Sequence, residues 1–101
     1  MQKINQVIFG KKYKLLVAIS EREKKKGMNI FLKQPSKTGM LFPYNDEIQN
    51  RSFTLSKTPF DLMVIFLDRN KNIVYQERGK RYQKKPIVCP HKSMFVIEIP
   101  V

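Results

Sequence analysis

The sequence predicts a small, mainly β domain, a barrel or two-sheet sandwich with one short helix, and three observations carry that expectation. Apolar residues recur with a period of two in several segments, the spacing that lines one face of a strand. One further run is apolar at every position yet only six residues long, which is strand length rather than helix length. The chain has 101 residues, enough for one core but not for two. A single domain over residues 1–101 is therefore expected, with residues 1–10 a candidate flexible N-terminal segment.

Tyr13, Leu15, Val17 and Ile19 alternate with Lys14, Leu16, Ala18 and Ser20, which predicts a first strand with one buried face. Ser20-Glu21-Arg22-Glu23 has capping-box spacing: the serine hydroxyl and a glutamate three residues on satisfy the free amides of a helix start. A helix of about two turns through Lys26 follows, and Gly27 stops it because glycine tolerates left-handed backbone. Pro35 to Gly39 reads as a turn, and Met40-Leu41-Phe42 as a short strand ended by Pro43. Tyr44 to Arg51 reads as a polar loop, and Ser52 to Leu55 as another short strand.

Leu62 to Leu67 is the fully apolar run, bounded by Pro59 and by Asp68-Arg69-Asn70, and it predicts a central strand covered on both faces. The turn Asp68 to Asn72 leads into Ile73-Val74-Tyr75-Gln76-Glu77, so the two segments form a β-hairpin. Arg78 to Lys85 is a basic loop with five cations and one tyrosine. Ile87-Val88 makes a short segment, and Met94 to Ile99 a last strand with Phe95, Ile97 and Ile99 toward the core. Six or seven short strands result, with no repeat and no interdomain linker.

Lys and Arg outnumber Asp and Glu by 20 to 8, a formal net charge of +12 that surrounds so small a domain with positive potential. Polyanions are the expected partners. The same lysine-rich usage also fits an AT-rich genome, such as that of a phage, in which the charge serves only solubility. Cys89 is the only cysteine, so neither an intramolecular disulfide nor a Cys-rich metal framework is available. No apolar stretch approaches membrane-span length and the first ten residues do not make a secretory signal. A cytoplasmic protein of a bacterial or phage-infected cell is expected, with no membrane partner.

The order of motifs resembles the domain-of-unknown-function family 192 over roughly Tyr13 to Val101. Gly27-Met28-Asn29 stands at the family's Gly-Leu-Met, and Gly39-Met40-Leu41-Phe42 reproduces its Gly-Met-Leu-Phe. Phe53, Thr58, Leu62, Phe66 and Asp68 fall without a gap on its Phe-Trp-Met-Lys-Asn-Thr and Leu-Asp strand, and Phe95-Val96-Ile97-Glu98 resembles its Tyr-Val-Leu-Glu. The resemblance implies a barrel-like or jelly-roll-like two-sheet domain and supplies no reaction. Thr54, Lys57 and Met63 replace the family's Trp, Asn and Asp, so its polar cluster is largely gone. The family's Gly-rich final segment does not follow Val101, and either that strand is dispensable or something else covers the edge.

No catalytic constellation is evident and no cofactor is implied. On an extended segment, Cys89 and His91 would share a face, but a thiol nucleophile needs a base with its own orienting group, and a metal needs three or four ligands. An alternative site, for a small ligand or a reaction in a barrel pocket, gathers Lys57, Asp61, His91 and Glu98. The plainer account of Glu98 is an interior carboxylate paired with Arg or Lys. The favoured reading is a binding module for nucleic-acid backbone or an acidic protein surface. It uses Lys24, Lys25 and Lys26 together with Arg78, Lys80, Arg81, Lys84 and Lys85, and Tyr82, or else Tyr13 or Tyr44, stacks a base. A phage-encoded protein that masks a host factor is the third reading.

Overall fold

The computed structural model describes residues 1–101, and it is mainly β: eight strands in two sheets, with one short helix. The strands are β1 (Gln2–Ile8), β2 (Lys11–Val17), β3 (Thr38–Ile48), β4 (Ser52–Phe53), β5 (Leu62–Leu67), β6 (Ile73–Gly79), β7 (Ile87–Val88) and β8 (Ser93–Pro100). Six of them form one sheet in the order β1-β2-β3-β8-β5-β6, antiparallel throughout except for the β2–β3 pair. A two-stranded ribbon of β4 and β7 stands apart.

Helix α1 (Glu21–Lys26) connects β2 to β3 and continues as a 3-10 turn over Gly27–Ile30. Its capping box is complete: Ser20 Oγ accepts from the Glu23 N–H at 3.1 Å, and Glu23 Oε1 accepts from the Ser20 and Ile19 N–H groups, each at 3.0 Å. Those backbone donors hold the Glu23 carboxyl below its ordinary pKa. Gly27 ends the helix at φ +52°, a conformation that a side chain resists.

The large sheet carries apolar residues on both faces, because its central strands alternate between two clusters. Leu62, Val64 and Phe66 of β5 join Met40, Phe42 and Val96 on the face covered by Met28 of the 3-10 turn, by Ile87 of the ribbon and by Leu55 and Cys89 beside it. Phe42, Phe53, Phe66 and Tyr75 stack edge-on or tilted along this face at centroid spacings of 5.0, 6.0 and 6.0 Å, fastening β4 to the sheet.

Ile65 and Leu67 face the other way and meet Ile8, Tyr13, Leu15, Ile97 and Ile99. Four strand spacings of about 4.8 Å would hold β1 about 19 Å from β5 in a flat sheet. A single hollow of about 210 Å³ is nevertheless lined by Ile8 of β1 together with Ile65 and Leu67 of β5 and Ile73 of β6, so the sheet curls and brings its two ends toward each other around this face. β1 and β6 nevertheless do not pair, so the sheet is curled but not closed into a barrel.

The β5–β6 hairpin forms as the sequence predicts, with Asp68 Oδ1 accepting from the Asn70 and Asn72 N–H groups at 2.9 Å each. Four expectations need correction. Residues 2–8, read as part of a candidate flexible segment, form β1 and pair with β2 along its whole length. β2 ends at Val17, and Ile19 is exposed.

The third correction is to β3, which does not stop at Pro43 but runs on to Ile48, taking in most of the expected polar loop. The Leu41 carbonyl accepts from the Ala18 N–H on the β2 side. Pro43, two residues on, directs its missing N–H to that same side, where β2 has already ended. Fourth, Cys89 and His91 do not share a face: a bend follows β7, leaving Cys89 buried and His91 exposed, with Cys89 Sγ donating to the His91 carbonyl at 3.2 Å.

Candidate functional site

The capping box fixes where α1 starts, and the packing of Met28 and Gly27 over Phe42 fixes how it lies on the sheet. A surface cleft of about 630 Å³ opens between α1, β3 and the β4 segment, bordered by Glu21, Arg22, Lys24, Lys25, Tyr44 and Phe53 among others. Lys24 Nζ donates to the Ile19 carbonyl at 3.0 Å and lies 4.7 Å from the centre of the Tyr44 ring. Arg51 packs its guanidinium 3.7 Å from the same ring centre. Tyr44 is thus committed to cations. Burial, with the negative charge of Glu98 and Glu21 and against the opposing pull of Arg51, holds its phenol above the ordinary pKa.

Arg51 is buried although it sits between β3 and β4 in a polar stretch. Its Nη2 donates to the Asp46 carbonyl at 2.9 Å and the Ser93 carbonyl at 3.1 Å, and lies 3.6 Å from the Asp46 carboxylate. Its Nε and the Ser93 hydroxyl have no hydrogen-bond partner. No local pattern marks this arginine, because its acceptors come from β3 and from β8, 42 residues away. Arg22 carried a local signal: it shares a six-residue helix with Lys24 and Lys25.

The second basic segment follows β6 and is organised around Thr58. The Thr58 carbonyl accepts from the Tyr82 N–H at 2.9 Å, while its hydroxyl donates to Asn29 Oδ1 at 2.6 Å. Thr58 therefore ties the loop bearing Lys80, Arg81, Lys84 and Lys85 to the 3-10 turn that continues the lysine helix. Gln83 shapes the loop further, accepting from the Lys80 N–H and donating to the Lys85 carbonyl. Tyr82 is exposed, at φ +55°. Of the three tyrosines considered for stacking it has the free ring, since Tyr13 is buried in the curled face and Tyr44 is covered by cations.

Arg78 stands apart from the lysine helix. Its register partner is Met63, so it emerges on the face turned away from α1, where it pairs with Asp61 at 3.4 Å. Asp61 also accepts from the Arg81 N–H at 2.8 Å, and that backbone donor, together with Arg78, holds its carboxyl below the ordinary pKa.

The residues of the alternative pocket do not gather. Lys57 and His91 are exposed, Asp61 is engaged with Arg78 and Arg81, and no hydrogen bond or ion pair joins any two of the four. Glu98 is interior, as expected, but not paired. β8 places it between Met40 and Val64, under Gly27 and Phe42, and the three ion pairs of the chain involve other carboxylates. Burial alone, with no cation to offset it, pushes its pKa from 4.5 up to about 8. Lys24 and Arg51 are instead held by Tyr44 and by backbone carbonyls.

No helix is long and apolar enough to cross a membrane. No protein of curated function matches the chain in sequence. Two solved structures share its fold. A protein of unknown function from Novosphingobium aromaticivorans DSM 12444 superposes with a TM-score of 0.77 at 18% identity, covering 97% of this chain and 71% of that one. A Sinorhizobium meliloti 1021 protein, described provisionally as a transcription regulator, gives 0.80 at 15% identity over 90% of this chain and 70% of its own. The family model of DUF192, described as Uncharacterized ACR, matches residues 4–101, almost the whole chain, and the chain belongs to that family.

Proposed function

We propose that this protein is a small basic binding module for an acidic partner, and that the partner is nucleic-acid backbone. The observation that carries the reading is the junction at Thr58, which anchors both lysine-rich segments, the one before Asn29 and the one around Tyr82. Lys24 and Lys25 border the cleft beside α1, Lys26 follows them, and Lys80, Lys84 and Lys85 extend the positive surface beyond the junction without carboxylate partners. Arg81 adds its charge on the Asp61 side. Tyr82, exposed within this surface, offers a free ring to an unpaired base, which favours single strands over duplex. With neither a groove-reading helix nor a glycine-rich phosphate loop, recognition of the strand is by charge and stacking rather than by sequence.

The experiment is fluorescence anisotropy with labelled single-stranded DNA and RNA of mixed sequence over a range of salt. The logarithm of the binding constant should fall by about 0.7 per log unit of salt for each phosphate neutralised. Replacing Lys24 and Lys25 together by Glu should weaken binding at least about tenfold, and Tyr82→Ala should weaken it about fivefold or more, as loss of one stacked base does. Undetectable binding at about 50 mM salt, where such contacts are strongest, would rule the nucleic-acid partner out. An acidic protein surface would then be the partner to test.

A further inference from the structure

The curled sheet leaves a slot along its seam, on the face opposite the 3-10 turn that follows α1. Two apolar hollows lie side by side in it. One, about 160 Å³, is lined by Ile4, Gln6, Leu41, Leu67, Lys71 and Phe95 among others. The next, about 210 Å³, is bordered by Gln6, Ile8, Phe9, Leu67, Lys71 and Ile73. Each is too small for a drug-sized ligand and of the size of one apolar side chain. Along β1 the first centres on Ile4 and Gln6, the second on Gln6 and Ile8, an offset of two residues. Two residues of strand span about 6.8 Å, the repeat at which an extended peptide presents side chains to one face.

The backbone beside these hollows is open as well. β1 is an edge strand whose one partner is β2, and β6 is the opposite edge, so the N–H and C=O groups between them have no strand to pair with. β1 bears a single charge, Lys3, and no proline, which leaves it weakly protected against strand addition. Val7, Phe9 and Ile73 at the rim are 64%, 58% and 51% exposed. Lys71 stands at both hollows, with its ammonium 5.6 Å from the Phe95 ring centre.

We propose that the seam binds an extended segment of a partner protein, added as a strand along the free edge of β1, with apolar side chains at alternate positions in the two hollows and a carboxylate on Lys71. Charge selects this occupant over a second copy of the chain: two copies at +12 repel, whereas an acidic strand is drawn in. Main-chain bonds along β1 supply affinity and the hollows supply the pattern, the mode by which sheet edges capture peptides.

The test titrates the full chain with three capped peptides: Thr-Leu-Thr-Val-Glu-Leu-Glu-Glu, the same peptide with Leu and Val replaced by Ser, and the same peptide with Glu replaced by Lys. Binding is read by amide hydrogen exchange and chemical shifts of β1. The first peptide should slow exchange at alternate β1 amides and bind at least about tenfold tighter than either control. Lys71→Glu, in an exposed turn, should reverse the preference between the Glu and Lys peptides. Gln6→Trp, on the exposed edge strand, should block both hollows. Absence of β1 shifts at about 1 mM of the first peptide, or equal binding of all three, overturns the proposal. So does sedimentation showing a dimer that the first peptide does not dissociate, because the slot would then belong to a second copy.

Discussion

The two faces of the six-stranded sheet are both apolar but are covered in different ways. One lies under separate pieces of chain, the 3-10 turn after α1 and the β4–β7 ribbon, and that cover seals polar groups inside: Glu98, Arg51 and the Ser93 hydroxyl. The other is covered by the sheet itself, curling until β1 meets β5, and its core holds aliphatic side chains with Tyr13 at the margin. A cover made of loops can close over a carboxyl and hold it. A cover made by curling closes only as far as the strands bend, and it leaves a seam.

The largest expected effect probes the sealed face. Folded Glu98 keeps its proton to about pH 8, while an unfolded glutamate loses it near 4.5, so the native state binds the extra proton between those values. Stability should therefore fall as pH rises from about 4.5 to 8 and level off above, a total on the order of 5 kcal/mol. Urea unfolding of the wild type and Glu98→Gln across this range measures it; the variant should flatten the decline and be the more stable protein at pH 8. A parallel decline in both would mean that the cover admits water or a cation to the carboxyl.

Adjacent core residues compare the faces directly. Phe66→Ala empties a fully buried site in the aromatic row beneath the ribbon and should cost about 3–5 kcal/mol, whereas Leu67→Ala lines the seam and should cost about 2–3, since relaxation there is easier. Equal losses by denaturant unfolding would erase the distinction. Gly39 tests the close approach of β3 to β8. A Cβ there would collide with the Glu98 carbonyl oxygen, with Ile99 Cγ2 2.9 Å away, so Gly39→Ala should cost about 3 kcal/mol. The smallest effect belongs to the start of the helix: Ser20→Ala removes one cap hydrogen bond and should lower stability by about 1 kcal/mol. If it also weakens nucleic-acid binding, then the position of α1, and with it Lys24 and Lys25, depends on that cap.

Much of the local structure was legible because its causes are local. The capping box at Ser20 and Glu23, the stop at Gly27 and the Asp68 turn each depend on residues within five positions of one another, and each stands where the spacing puts it. The apolar run Leu62 to Leu67 implied a strand buried on both faces, and its alternate residues do join the two clusters that cover opposite faces of the sheet. β1 was not legible: Gln2, Lys3, Asn5 and Gln6 lack apolar alternation, and the strand exists because β2 offers an edge to pair with. Arg51 was hidden for the same kind of reason, since the Ser93 carbonyl that helps bury it lies on β8, 42 residues away.

The sequence by itself determined the family, the mainly β class, the net charge and the chemistry on offer, because those depend on residue identity and short spacing. Tertiary structure decided which charges keep company. It tied the lysine helix to the Tyr82 loop through Thr58, set Arg78 on the opposite face against Asp61, and left Glu98 without a cation. It also decided that the sheet would curl without closing, since closure depends on whether β1 and β6 come within hydrogen-bonding distance. That distance is the sum of bends accumulated over six strands, which no segment of the sequence specifies alone.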